Sequence, residues 1–235
     1  MMSELALHGG KPVRTEGPTA SWPVVGDLEI QRLTDVIDSG DLLYGRGEQG
    51  VKFEQELAEW MGAEYAIGTI NGTETMALAL KAAGIGPGDE VIMPAMTFIA
   101  CPQSVLLANA IPVLVDLTAH NVALDPELVE AAITDNTKAI MAVDLYGVAA
   151  DMDTIMDIAD RHDLFLLEDC AQAQGTEWRG KKLGTLGDAG SLSFHTAKCI
   201  TSGDGGAVVT DSKELRDLMQ SYRQFGQPFA GAEHD

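Results

Sequence analysis

From Glu64 onward, short apolar runs alternate with helical stretches, and this alternation constrains the fold more than any other feature of the sequence. The runs Tyr65–Thr69, Val91–Met93, Ile111–Val115, Ala139–Val143, Phe165–Leu167, Ser191–Phe194 and Ala207–Thr210 read as strands. Helices are expected to begin near Thr73, Ile99, Pro126, Met152 and Lys213. Strands this short and continuously apolar need cover on both faces, which a parallel sheet between two helix layers provides. The expected fold class is therefore α/β: a three-layer α/β/α arrangement around a mostly parallel seven-stranded sheet. Ligands of such sheets bind beyond the carboxyl ends of the strands, so chemistry is sought there.

Ahead of that pattern, residues 1–25 carry Gly9, Gly10, Pro12, Gly17, Pro18 and Pro23 and read as an extended N-terminal arm. Residues 26–235 read as one large domain. Leu28, Ile30, Leu33, Val36 and Ile37 predict a helix that stops at Ser39-Gly40, and Val51, Phe53, Leu57 and Trp60 predict a second.

Charge narrows the partners. The 235 residues include 15 basic and 36 acidic side chains, a formal net charge of −21. Such a surface repels phosphate backbones and anionic lipid, so neither nucleic acid nor membrane is expected as a partner. No run approaches the roughly 20 apolar residues that span a bilayer, and the start Met-Met-Ser-Glu-Leu-Ala-Leu-His lacks a leader's basic and apolar regions. Three cysteines, Cys101, Cys170 and Cys199, have no metal-ligand spacing and suit a reducing compartment. The expectation is a cytoplasmic protein without a metal.

Four segments could carry chemistry. Gly45 to Gly50 matches G-x-G-x-x-G, but Asp41–Tyr44 makes a poor buried strand ahead of it, so a loop bordering a site is expected rather than a dinucleotide fingerprint. Asn71-Gly72-Thr73-Glu74 follows a strand and opens a helix. Free N–H groups there favour a phosphate dianion, or Thr73 simply caps the helix. Glu168-Asp169 puts two acids at a buried strand end, suited to Mg²⁺, a ribose, a ligand cation or a helix cap. Lys198 lies between the strand ending in Ser193-Phe194 and the loop Gly203-Asp204-Gly205-Gly206, where desolvation makes an amine a better nucleophile toward aldehydes. Lysine 29 positions after a strand-end aspartate suits pyridoxal phosphate, which needs both.

Taken together, these segments resemble the DegT–DnrJ–StrS family of pyridoxal-phosphate-dependent sugar aminotransferases, of the aspartate-aminotransferase fold type I. The likeness rests on Asn71-Gly72-Thr73, Gly86 to Pro94 with Thr97-Phe98, Leu145-Tyr146-Gly147 before Ala150 to Asp153, Glu168 to Ala173, Ser193-Phe194, Lys198 and Gly203 to Gly206. It implies pyridoxal 5'-phosphate as cofactor, with Lys198 condensing with the aldehyde and moving the proton, and Asp169 partnering the pyridine nitrogen. Gln172 is implied near the ring hydroxyl, Phe98 stacked on the ring, and Gly72, Thr73, the Glu74 amide and Ser193 around the phosphate. Two residues depart from the family's pattern: Asp144 stands where histidine is frequent and Asp204 where glutamate is. The resemblance also implies a C-terminal small domain beyond this chain.

The implied function is transfer of an amino group from glutamate or glutamine to a keto sugar or cyclitol by a homodimer. A catalytically incomplete fragment, half of a split enzyme completed by a second chain, and a related sugar dehydratase are the alternatives. Lysine at position 198 counts against the dehydratase, in which histidine replaces it.

Overall fold

A computed structural model describes residues 4–14, 16–17, 22–44 and 47–226 of the chain. It divides into two compact units, residues 1–42 and 43–235. The first holds a single 3-10 turn, Ala6–His8, and helix α1, Asp27–Ser39. That helix ends where Gly40 turns left-handed at φ +69°, a conformation glycine reaches without a Cβ penalty. The unit thus takes in both the expected arm and the first helix, and the chain breaks at residue 42 rather than 25.

The second unit runs α2 (Glu48–Met61), β1 (Tyr65–Thr69), α3 (Gly72–Ala82), β2 (Glu90–Pro94), α4 (Ala100–Leu107), β3 (Ile111–Val115), α5 (Pro126–Ala131) and β4 (Thr137–Val143). It continues through α6 (Met152–His162), β5 (Phe165–Asp169), β6 (Glu177–Trp178), β7 (Lys181–Lys182), β8 (Ala189–Ser193), β9 (Gly206–Thr210) and α7 (Lys213–Arg223). Side chains one residue outside each helix cap four of the starts: Asn71, Asp125, Asp151 and Ser212 each accept a backbone N–H of the first turn.

Seven strands form one sheet in the order β1-β9-β8-β5-β4-β2-β3. Neighbours from β8 to β3 pair in parallel, while β9 runs antiparallel to both β8 and β1. The sheet is therefore mostly parallel, as the alternation requires. Strand residues alternate between two cores. Ile92, Ile140, Leu166 and Val209 pack with α2, α5 and α6 on one face; Val91, Met141, Leu167 and Val208 pack with α3, α4 and α7 on the other. Three layers result.

Two local differences stand out. The pair β6–β7 is a separate hairpin that the sequence pattern did not announce, because two-residue strands rich in charge carry no apolar run. Its turn, Arg179-Gly180, has φ of +49° and +83°, the backbone of a tight hairpin. Strand β5 also continues two residues past Leu167, so Glu168 and Asp169 belong to the ladder itself. Across the sheet's other edge, Glu54 of α2 joins three segments at one oxygen. It accepts from the Tyr44 hydroxyl at 3.0 Å, the Gly68 N–H at 2.7 Å and Arg223 at 2.6 Å.

Candidate active site

The parallel strands all end on one side of the sheet, where their following loops surround a cavity of about 840 Å³. Of the residues singled out from the sequence, Gly72, Thr73, Phe98, Asp169, Gln172, Ser193 and Lys198 line it. Gly47 to Gly50, the described part of the glycine-rich segment, do not. No strand precedes it, Gly47 caps α2, and Glu48 to Gly50 form that helix's first turn, so the dinucleotide fingerprint has no structural basis. Gly45 and Arg46 lie outside the described residues.

Strand parity separates the two acids. Glu168 faces away from the cavity and accepts three backbone N–H groups, from Gly184 at 2.8 Å, Leu186 at 2.7 Å and Gly187 at 2.8 Å. It is a structural latch for the turn that leads into β8. Asp169, 5% exposed, faces the cavity. Its Oδ1 accepts the Ala171 N–H at 3.0 Å, and its Oδ2 accepts the Cys101 thiol at 3.0 Å. Among the described residues it has no salt-bridge partner within 4.0 Å. Burial raises its proton affinity, opposed by the two hydrogen bonds and by the charge of Lys198. A buried carboxylate held this way at a cavity wall calls for a cation from the cavity.

At the other end sits the start of α3. The helix begins at Gly72, and a side chain there would meet Ser193 Cβ at 2.8 Å, so only glycine lets α3 approach β8 this closely. Gly206 of β9 is equally constrained, since its Cβ would fall 2.6 Å from the Asn71 carbonyl. These contacts bring the first N–H groups of α3 and the Ser193 side chain to one corner, an arrangement suited to a phosphate. Asn71, not Thr73, is the cap, and its Oδ1 accepts the Glu74 N–H at 2.9 Å. Glu74 does not line the cavity, so its amide is already satisfied within the helix cap and is removed from the expected phosphate contacts.

Between the two ends lies the half-buried Lys198, its Nζ 5.8 Å from the centre of the Phe98 ring. Gln172 spends its carbonyl oxygen on the Tyr146 N–H at 3.0 Å, which leaves its amide NH₂ as the group to offer a ligand oxygen. Tyr146 is held left-handed at φ +57° on the cavity wall, costly for a non-glycine residue. Tyr146, quoted from the sequence only within Leu145-Tyr146-Gly147, and His195, whose Nδ1 accepts the Ala197 N–H at 3.2 Å, were assigned no role there.

Asp144 follows β4 and lies 1% exposed beside Cys170, whose thiol donates to its Oδ2 at 3.2 Å. Its Oδ1 has no hydrogen-bond partner among the described residues. Burial, reinforced by the charges of Glu168 and Asp169, raises its proton affinity well above the ordinary carboxylate range. Asp144, Glu168 and Cys170 cluster closely, yet Glu168 already has both oxygens occupied by backbone, so the cluster does not make a metal centre. The sign of the pH effect follows. A folded-state proton affinity above the unfolded value stabilises the fold at low pH, and that contribution is lost as pH rises through the folded value. Asp144→Asn should match the parent chain in acid and become the more stable of the two as pH rises. Thermal melting across pH checks this; parallel curves would mean that Asp144 is ionised throughout.

A family model, the DegT/DnrJ/EryC1/StrS aminotransferase family, matches residues 23–234. The chain belongs to this family. One curated relative is the L-glutamine:2-deoxy-scyllo-inosose aminotransferase of Streptomyces paromomycinus, 42% identical over 236 residues, covering 98% of this chain and 55% of the relative. The fold matches that of an aminotransferase from Psychrobacter cryohalolentis with TM-score 0.88 at 40% identity, over 93% of this chain and 56% of that one. NtdA of Bacillus subtilis, solved with bound cofactor PMP, matches with TM-score 0.80 at 33% identity, over 90% of this chain and 48% of that one. The chain spans about half the length of the curated relatives it matches. No helix among the described residues is long and apolar enough to cross a membrane.

Proposed function

We propose that the chain carries the cofactor-binding part of a pyridoxal-phosphate-dependent aminotransferase that moves the amino group of glutamine or glutamate onto the ketone of a cyclitol or nucleotide sugar. The observation that carries this reading is one cavity lined by Asp169, Lys198 and the start of α3. Relatives that take nitrogen from L-glutamine to inososes support the donor and the cyclitol acceptor. Residues 43–226, the described part of the sheet unit, are the cofactor-binding domain in this reading.

The residues present fit pyridoxal phosphate at each of its polar groups. Its phosphate suits the N–H groups at Gly72 and Thr73 with Ser193, its ring nitrogen suits Asp169, and its ring hydroxyl suits the free amide of Gln172. Phe98 offers a ring face and Lys198 an amine. When bound, the cofactor supplies an aldehyde that takes up the amino group and a protonated ring that accepts the electron pair released at the donor's α-carbon.

The chain's own residues supply the remainder. Asp169 holds a proton at the ring nitrogen, an ion pair that gains strength where water is excluded. Lys198 Nζ would be the base that takes the proton from the substrate carbon and returns it to the cofactor's former aldehyde carbon, on the far side of the shared nitrogen. The helix start neutralises the phosphate and fixes one end of the ring, so the lysine meets the same carbon in both halves of the reaction.

Purified chain mixed with pyridoxal phosphate should turn yellow, and borohydride should fix the cofactor on the peptide containing Lys198. Colourless protein would overturn the reading. Turnover is assayed separately, as amine formed from 2-deoxy-scyllo-inosose with glutamine.

In this reading the protein acts in the cytoplasm as a homodimer. The unpaired Cys101, Cys170 and Cys199 support a reducing compartment. Exposed Met96, Phe98, Ile99 and Tyr146, on or next to the cavity wall, support a second copy at this face. Light scattering at micromolar concentration should give twice the chain mass, and a monomer at the highest concentrations would sink the dimer.

A further inference from the structure

Asp169 is gripped from a direction that its own strand does not supply. Cys101, in the first turn of α4 and 0% exposed, places Sγ 3.0 Å from Asp169 Oδ2. On its other side Sγ lies 2.9 Å from Thr97 Oγ1. The backbone of the same turn is closed by Cys101 N–H donating to the Phe98 carbonyl at 3.0 Å. An ionised carboxylate only accepts, so the thiol donates to Asp169, and the Thr97 hydroxyl donates to the sulfur. The result is a relay from Thr97 through Cys101 to Asp169. Phe98, which lines the cavity, stands between Thr97 and Cys101 in the chain.

Two physical points give the thiol a task beyond filling space. Burial and the adjacent carboxylate keep it protonated, so it stays a donor across any physiological pH. It is also a weak donor. An ammonium would neutralise the carboxylate and compete with a cation arriving from the cavity; a neutral donor such as a thiol fixes the carboxylate's orientation while leaving it basic. With Ala171 N–H on Oδ1 and Cys101 on Oδ2, each oxygen has one fixed donor and keeps acceptor capacity.

We propose that Cys101 is a positioning residue for the cofactor site: its thiol clamps Oδ2 of Asp169, setting the orientation in which that carboxylate receives the protonated ring nitrogen. The proposal rests on the pyridoxal phosphate reading given above. Nothing in it requires the thiol to touch cofactor or substrate. Because one short segment, from the loop before α4 into its first turn, carries Thr97, Phe98 and Cys101, the clamp also couples the ring-stacking aromatic to the carboxylate.

The test has one arm without cofactor and one with it. In the cofactor-free chain, the infrared S–H stretch of Cys101, identified by its loss in Cys101→Ala, should lie below that of the exposed Cys199 and move upward in Asp169→Asn. If that variant does not fold, the same upward movement should follow acidification of the parent chain as Asp169 takes its proton. A band indifferent to both overturns the clamp. In the second arm, Cys101→Ala should bind pyridoxal phosphate about tenfold or more weakly, the loss of one hydrogen bond to a charged group. The ¹⁵N resonance of ring-labelled cofactor should move toward the unprotonated position, and Cys101→Ser, which keeps a donor, should restore both. Equal losses in the alanine and serine variants, or no loss in either, would reduce Cys101 to a packing residue and overturn the proposal. A parent chain that shows the S–H response but takes up no cofactor would instead refute the cofactor reading and with it any role for the clamp there.

Discussion

Lys198→Ala is expected to abolish borohydride-fixable cofactor and to cut transamination by at least the 10²–10⁴-fold, roughly, that a positioned acid–base group contributes. The fold should survive. Lys198 is half-buried and makes no salt bridge within 4.0 Å among the described residues; truncation removes its contact with the Phe98 ring and the favourable charge it presents to Asp169. A surface change of that kind shifts stability by about 0.5 kcal/mol or less. Circular dichroism melting separates the two effects. A variant that melts like the parent but still traps cofactor covalently at full occupancy would place the reactive amine elsewhere.

Asp169→Ala is expected to have an effect of opposite character on fold and function. In the cofactor-free chain the carboxylate is buried without a cation, and its raised proton affinity means that it stabilises the fold at low pH and ceases to as pH rises. Removing it should therefore flatten the fall of stability with pH. Cofactor binding should weaken by about ten- to a hundredfold, the value of a charge-assisted hydrogen bond. Turnover should fall further, because an unprotonated ring nitrogen is a poorer electron acceptor. Fluorescence titration with pyridoxal phosphate measures the first and single-turnover kinetics the second. Unchanged turnover with weakened binding would show that Asp169 anchors the ring without sustaining its charge.

Much of the scaffold was legible because it depends on short-range pattern. Tyr65–Thr69 and Ile111–Val115 match the expected strands residue for residue, and Pro126, Met152 and Lys213 open helices where expected. The charged hairpin Glu177–Lys182 escaped because its pairing depends on turn geometry rather than on apolar periodicity. From the residues alone the site was legible in its types, while its assignments came only with the family resemblance. Glu168 and Asp169 are adjacent, and their roles are opposite because a strand sends successive side chains to opposite faces. With the end of β5 uncertain by two residues, that parity could not be read. The Glu74 amide was misassigned because the helix starts one residue earlier than expected, under Asn71.

What the sequence determined alone was the kind of object: a mostly parallel sheet between helices, with an aspartate, a lysine and a helix start brought to the ends of its strands. Local periodicity and turn chemistry suffice for that, since each is written within a few neighbouring residues. Only the tertiary structure decided which groups touch. The Cys101 thiol meets Asp169 across 68 residues, and Gly72 meets Ser193 across the gap between α3 and β8. Those contacts depend on strand order in the sheet, which packing of the two faces selects and no local pattern encodes.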